Sequence, residues 1–137
     1  VIRYLVDTNI ISEIHKPKPH GAVVAWFKGL SDEQICLSAV TFGELQQGIE
    51  RTRKQDMVKA GAIEAWVDEV EKSMTVLPMD TRSFREAARI MVGKQDDLFY
   101  DAMIAVTARL HGLTVATRNE KDFAHLGVPV FNPFRLG

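Results

Sequence analysis

The sequence predicts an α/β fold, with helices flanking a mostly parallel central sheet of about five strands. Three observations carry that expectation. Short apolar, β-branched runs alternate with longer stretches whose apolar residues recur at helical spacing. No repeat, low-complexity tract or linker divides the 137 residues, so one domain over 1–137 is expected. Four acids, Asp7, Glu44, Asp101 and Asp122, each stand where a strand-like run hands over to a helix-like one. In a parallel sheet such positions share one crevice, outside the carboxyl ends of the strands.

Taken in order, residues 3–6 read as a short strand and 8–15 as a short helix. The Lys-Pro-Lys-Pro-His stretch at 16–20 ends that helix, because proline cannot continue a helix interior. Helix resumes over 22–30, with Val23, Trp26, Phe27 and Leu30 on one stripe. A second strand covers 34–39, followed by a helix over 41–51 whose apolar face is Phe42, Leu45 and Ile49. Helical spacing returns over 55–72 through Val58, Ile63, Trp66, Val67 and Val70. Residues 74–77 form a third strand, and Asp80 offers an N-cap for the next helix. The stretch 97–111 is apolar nearly all round and reads as a buried helix closed by Gly112. A fourth strand at 114–117, a short helix at 120–126 and a fifth strand at 128–131 complete the pattern.

Composition narrows the function. A net charge of −1 argues against a general nucleic-acid coat, which would be strongly basic, but not against a nuclease. Cys36 is the only cysteine, so no intrachain disulfide forms, and its place between Ile35 and Leu37 reads as core. No apolar run approaches membrane-spanning length and no signal peptide is visible, so a cytoplasmic protein is expected. There is no phosphate-cradling Gly-rich loop or nucleophile elbow, and the four histidines lack zinc-like spacing.

Carboxylates crowded into one crevice repel unless something positive sits between them. The fitting occupant is a hard divalent cation with oxygen ligands, Mg²⁺ or Mn²⁺, and the chemistry such an ion supports is phosphodiester hydrolysis. Taken singly, each acid has a plainer reading. Asp7 serves equally as a cap for the helix beginning at Thr8. Glu44 alone reads as a solvated helix acid, and Asp122 as a surface acid beside Lys121 or Arg118. Asp101 is harder to place that way, because its neighbours Leu98, Phe99, Tyr100, Ala102 and Met103 are nearly all apolar. Of the basic groups, Arg51 to Lys54 ends the helix that carries Glu44, and Arg118 stands nearest the acids. A solvated surface is the commoner reading of such clusters. For a phosphodiester-cleaving site the first is the best candidate backbone contact and the second a fork for the scissile phosphate.

Four segments together resemble a PIN-domain nuclease. They are Val-Asp-Thr-Asn at 6–9, Ser-Ala-Val-Thr-Phe-Gly-Glu-Leu at 38–45, Tyr-Asp-Ala-Met-Ile-Ala at 100–105 and Thr-Arg-Asn-Glu-Lys-Asp-Phe at 117–123. More narrowly, the chain resembles the VapC-type toxins of bacterial toxin–antitoxin pairs, including their FitB-like branch. The resemblance implies a PIN-like three-layer sandwich and a Mg²⁺- or Mn²⁺-dependent endoribonuclease acting on a structured RNA such as tRNA or rRNA. It implies that Asp7, Glu44 and Asp101 are the first three acids of the site. Asn119 and Asp122 compete for the fourth place, with Asp122 the acidic contributor. Thr8, Asn9 and Thr117 fit roles orienting the carboxylates, or ordinary capping and strand-end roles. The resemblance also implies a VapB-type antitoxin partner and a homodimer, with the apolar stripes at 22–30 and 55–70 as docking faces or as core. A housekeeping PIN nuclease, a HAD-like phosphatase using Asp7, and a non-catalytic PIN-shaped binding module are the alternatives. The phosphatase lacks its expected downstream lysine motif.

Overall fold

The computed structural model describes residues 1–136. Its elements run β1 (Tyr4–Val6), α1 (Thr8–His15), α2 (Gly21–Lys28), β2 (Ile35–Ser38), α3 (Ala39–Arg53), α4 (Met57–Ser73) and β3 (Thr75–Leu77). They continue through α5 (Thr81–Ile90), α6 (Phe99–Leu110), β4 (Thr114–Ala116), α7 (Glu120–Ala124) and β5 (Val130–Phe131). Single 3-10 turns occupy Asp32–Gln34, Asp96–Leu98 and Pro133–Leu136.

The five strands form one sheet in the order β3-β2-β1-β4-β5, and every neighbouring pair is parallel. The chain builds outward from β1 to β3, then crosses back to lay β4 on the other side of β1. Strand order therefore reverses at β1, and such a switch point opens a crevice at the carboxyl ends of the strands. Asp7 is the next residue after β1.

Period-two alternation divides the strand residues between two cores. Leu5, Cys36 and Val115 face α5, α6 and α7, packing with Ala87, Ile104, Ala108, Phe123 and Leu126. Tyr4, Val6, Ile35, Leu37 and Ala116 face the other way, against Ile10, Ile11, Val23 and Val70. A smaller cluster of Ile49, Ala60 and Val67 glues α3 to α4. The result is the expected three-layer arrangement, with Cys36 buried in it.

Caps and turns follow their sequence signals. Asp80 Oδ1 accepts from the Ser83 backbone N–H at 2.8 Å, starting α5. Gly112 has φ +66°, and Leu113 N–H donates to Ala108 O at 2.8 Å, closing α6 in a Schellman motif. A Cβ at Gly112 would meet no atom within 4 Å, so only the left-handed backbone opposes a side chain. Gly112→Ala is expected to cost about 1–2 kcal/mol, read as a lower urea midpoint with unchanged slope. An unchanged midpoint would mean the turn relaxes freely.

Several expectations shift. The helix predicted over 97–111 opens as a 3-10 turn, and Phe99 is exposed while Ala102 to Ala108 are buried without a break. Val58 is exposed together with Met57, since Asp56 caps α4 and its first turn projects beyond α3; Ala60 takes the inward place. In the 22–30 stripe Val23 is fully buried and Trp26 packs edge-on to Tyr4, centroids 5.1 Å apart. Both stripes are thus mainly core, leaving the start of α4 as their exposed apolar part. Within the Arg51–Lys54 group, Arg53 is engaged inside the protein: its guanidinium bonds Glu50 at 3.0 Å and Glu64 at 2.8 Å, and these partners hold its pKa above its ordinary value.

Candidate functional site

Asp7 takes both of its readings at once. Its extended backbone makes it the N-cap of α1, and Oδ1 accepts from Thr8 N–H at 2.8 Å. Oδ2 accepts from the Thr117 hydroxyl at 2.8 Å and from Asn9 Nδ2 at 3.2 Å. The Asp7 backbone N–H donates to Ala116 O at 2.9 Å, which brings the ends of β1 and β4 together. The loop after β4 is locked in turn: Asn119 N–H donates to Thr117 Oγ1 at 3.0 Å, and Arg118 N–H to Asn9 Oδ1 at 3.3 Å. Asp7 is only 4% exposed. Burial pushes its pKa up, and the Thr117 and Thr8 bonds pull it back.

Glu44 lies in the second turn of α3, deeper than the first-turn position its motif predicts. Ser38 Oγ caps the helix through Val40 N–H at 3.1 Å, so α3 starts at Ala39. The Thr8 hydroxyl donates to Glu44 Oε1 at 2.9 Å and lies 3.0 Å from the Thr41 hydroxyl, whose proton it can accept. Burial raises the Glu44 pKa, opposed by the Thr8 bond, and the Asp7 charge raises it further. Asp101 sits in the first turn of α6. Its pKa is pushed up to about 7, first by burial and then by the charges of Asp7, Asp122, Glu44 and Asp97. Asp101 makes no ion pair among the described residues.

Asp7, Glu44 and Asp101 line one cleft of about 410 Å³, together with Thr8, Asn9, Arg118 and Asn119. Asp122 does not line it. It is exposed in an adjoining hollow that shares Arg118, Asn119 and Phe134, close enough for its charge to act on Asp101. At the ambiguous fourth position, Asn119 therefore faces the cleft and Asp122 borders it. Thr117 is fully buried behind Asp7.

Three further cleft residues escaped the sequence reading, Ser12, Glu13 and Phe134, and a fourth, Lys16, is legible only as part of the basic Lys16-Pro17-Lys18 surface cluster. Glu13 is buried, holds Lys16 Nζ at 2.8 Å and accepts from His20 N–H at 3.0 Å. The Lys16 bond, then the His20 bond, holds its pKa below the ordinary range. The available signal was an acid between Ile10 and Ile14 on the apolar stripe of a short helix. Phe134 carried no local signal.

The donor set is hard oxygen, which suits Mg²⁺ or Mn²⁺. Among the described residues no three His, Cys, Asp or Glu side chains converge tightly enough to enclose an ion by themselves. Mg²⁺ does not require that, since it keeps several waters and binds through one or two carboxylates. Three carboxylates line one cleft, and the charges of its acidic neighbours add to burial in raising the Asp101 pKa; a cation would relieve that repulsion, so the residues fit such an ion.

The PIN domain family profile matches residues 4–129. The chain is 33% identical to the VapC ribonuclease Y4jK of Sinorhizobium fredii, over 95% of this chain and 96% of that one. It is 34% identical to Toxin FitB of Neisseria gonorrhoeae, over 95% and 97%. The crystal structure of FitAcB from Neisseria gonorrhoeae superposes with a TM-score of 0.83 at 34% identity, covering 96% of this chain and 98% of that one. The fold is thus shared along nearly the whole length, and the chain belongs to the PIN-domain family, with a VapC ribonuclease and Toxin FitB among its relatives.

Proposed function

We propose that the protein is a Mg²⁺- or Mn²⁺-dependent endoribonuclease and the toxin of a VapBC-type pair, acting in the cytoplasm as one PIN domain. The observation that carries this reading is the cleft that Asp7, Glu44 and Asp101 line together, three carboxylates brought to one place from α1, α3 and α6. Asp7, Glu44 and Asp101 would hold the ion, directly or through its waters, with Asn119 and Asp122 beside it at the fourth position. A divalent ion bound there supplies a water acidic enough to act at neutral pH and offsets charge on the phosphate. Thr117 and Asn9 fix the rotamer of Asp7, and Thr8 fixes Glu44, so the carboxylates are aimed before substrate arrives. Arg118 offers its edge to the scissile phosphate.

The RNA-cleaving and toxin roles draw support from the relatives named a VapC ribonuclease and Toxin FitB. The partners that follow are an RNA of the tRNA or rRNA class, a VapB-type antitoxin and a second copy of the chain. Cleavage of RNA by the purified protein should require Mg²⁺ or Mn²⁺, stop with EDTA, and fall about 10²–10³-fold in Asp7→Asn, the scale of several kcal/mol of lost charge stabilisation. Expression should arrest growth, and a short reading frame immediately upstream should relieve it. Undiminished cleavage by Asp7→Asn would sink the enzymatic reading; harmless expression of an active nuclease would favour a housekeeping role instead.

A further inference from the structure

The cleft has a second wall that the carboxylates do not explain. The Arg118 guanidinium lies over the Phe134 ring, 4.6 Å from its centroid. His20 packs on the same ring, with centroids 5.0 Å apart. Phe134 is held in place: its backbone N–H donates to Asn132 Oδ1 at 3.0 Å, and Asn132 Nδ2 donates to Glu120 Oε2 at 3.2 Å. A ring from the C-terminal turn is thereby tied to α7 beside the site. Arg118 is exposed, and its guanidinium joins no ion pair among the described residues. Glu13 is near enough to feel its charge but is taken by Lys16.

An arginine seated over an aromatic ring keeps a planar cationic face and free N–H groups at its edge. Unpaired nucleobases stack on such faces. We propose that the Arg118–Phe134 pair is a stacking platform for an unpaired nucleobase of the RNA, belonging to a nucleotide next to the cleaved bond. This rests on the RNA-cleaving reading of the same cleft and names the form of substrate it takes: single-stranded or looped RNA, whose bases are free to leave their stack. Arg118 touches the base, and Phe134 is a positioning residue that holds Arg118 over the crevice. The guanidinium edge stays available to a phosphate, and Lys16 adds a second cation to the cleft.

The test uses an unstructured, end-labelled oligoribonucleotide with an abasic site moved one nucleotide at a time along it. Binding is measured by anisotropy on Asp7→Asn protein, and cleavage on the protein with Asp7 intact. One abasic position should weaken binding about tenfold, the scale of one base–aromatic stack. That penalty should vanish in Arg118→Lys, which keeps the charge and hence the salt dependence of Kd, and in Phe134→Leu, and return in Phe134→Tyr. If Phe134→Leu fails to fold, the exposed Arg118→Lys decides alone. The platform is overturned if no abasic position matters, or if the penalty survives Arg118→Lys. Base-selective binding without cleavage would defeat the nuclease reading and leave the platform standing. Cleavage blind to the base would do the reverse.

Discussion

Asp101→Asn is expected to abolish most cleavage while stabilising the metal-free protein above pH 7. The two effects share one cause. Burial and the charges of Asp7, Asp122, Glu44 and Asp97 lift the Asp101 pKa from 3.8 to about 7. In the unfolded chain this carboxyl ionises near its ordinary value, so between about pH 4 and 7 the folded state binds the extra proton. Stability therefore falls as pH rises through that window and levels off above it. At 1.36 kcal/mol per pH unit the gap caps the effect near ~4 kcal/mol, and solvent screening at a half-exposed group brings it to about 1–2 kcal/mol. Asparagine carries no charge at any pH and escapes the penalty. It also removes a charged oxygen from the proposed ion site, with an expected activity loss of about 10²–10³-fold. Urea unfolding in EDTA at pH 5 and pH 8 reads the first effect: the variant should lead by more at pH 8. An equal lead at both pH values would show that neither burial nor the neighbouring acids raise the Asp101 pKa.

The same charge crowding has the opposite consequence once an ion binds. Ligand carboxylates must be deprotonated, so affinity for Mg²⁺ rises with pH toward 7 and binding releases protons. Asp7, Glu44 and Asp122 were legible together because each follows a strand into a helix, and a parallel sheet converts that sequence position into neighbouring locations. Asp101 departs from the expected junction, since α6 follows α5 and a 3-10 turn, and it reaches the crevice from the first turn of that helix. Part of their unequal standing was legible too, since the apolar neighbours of Asp101 set it apart and Asn119 competed with Asp122 for the fourth place; the surroundings of each acid were not. Asp7 is buried and triply hydrogen-bonded, Asp101 is half-buried and raised in pKa, and Asp122 is outside the cleft. Those differences depend on how β4, α3 and α6 bring distant residues to the end of β1, which no local spacing encodes.

The fold was readable for a related reason. Strands such as Tyr4-Leu5-Val6 and Ile35-Cys36-Leu37 are apolar on both faces, the mark of a sheet covered on both sides. Boundaries drifted where a side chain rather than periodicity set the helix start, as with Ser38 before α3 and Asp56 before α4. Arg53 looked free in a basic run because its partner Glu64 sits on the next helix, and only the α3–α4 packing brings them to 2.8 Å. Phe134 was invisible for the same reason at longer range: it meets Arg118 only because β5 pairs with β4 and delivers the C-terminal turn to the crevice.

Phe123→Ala should be among the most damaging single changes outside the cleft. Phe123 is fully buried and is the one buried side chain of α7, packed in the core that includes Ile104, Val115 and Leu126. Truncating a buried Phe typically costs about 3–5 kcal/mol, against a total of roughly 5–15 kcal/mol for a domain. Its neighbours in sequence make the loss functional as well. Asn119 caps α7, Asp122 precedes Phe123, and Glu120 anchors the Asn132 link to Phe134. A loosened α7 therefore disturbs the fourth acid position and the stacking ring together, and cleavage should fall even where the variant remains folded. Phe123→Leu keeps most of the volume and should cost less, usually under about 1.5 kcal/mol for near-isosteric swaps. Urea midpoints and metal-dependent cleavage of both variants, measured on the same preparations, read the two effects. Mg²⁺ at about 100 times its Kd adds ~2.7 kcal/mol to a protein that binds it, so excess metal should recover part of the Ala variant's stability and not all. An Ala variant as stable as Phe123→Leu would mean that α7 is held by its polar links to Asn132 and Arg135 and not by its buried ring.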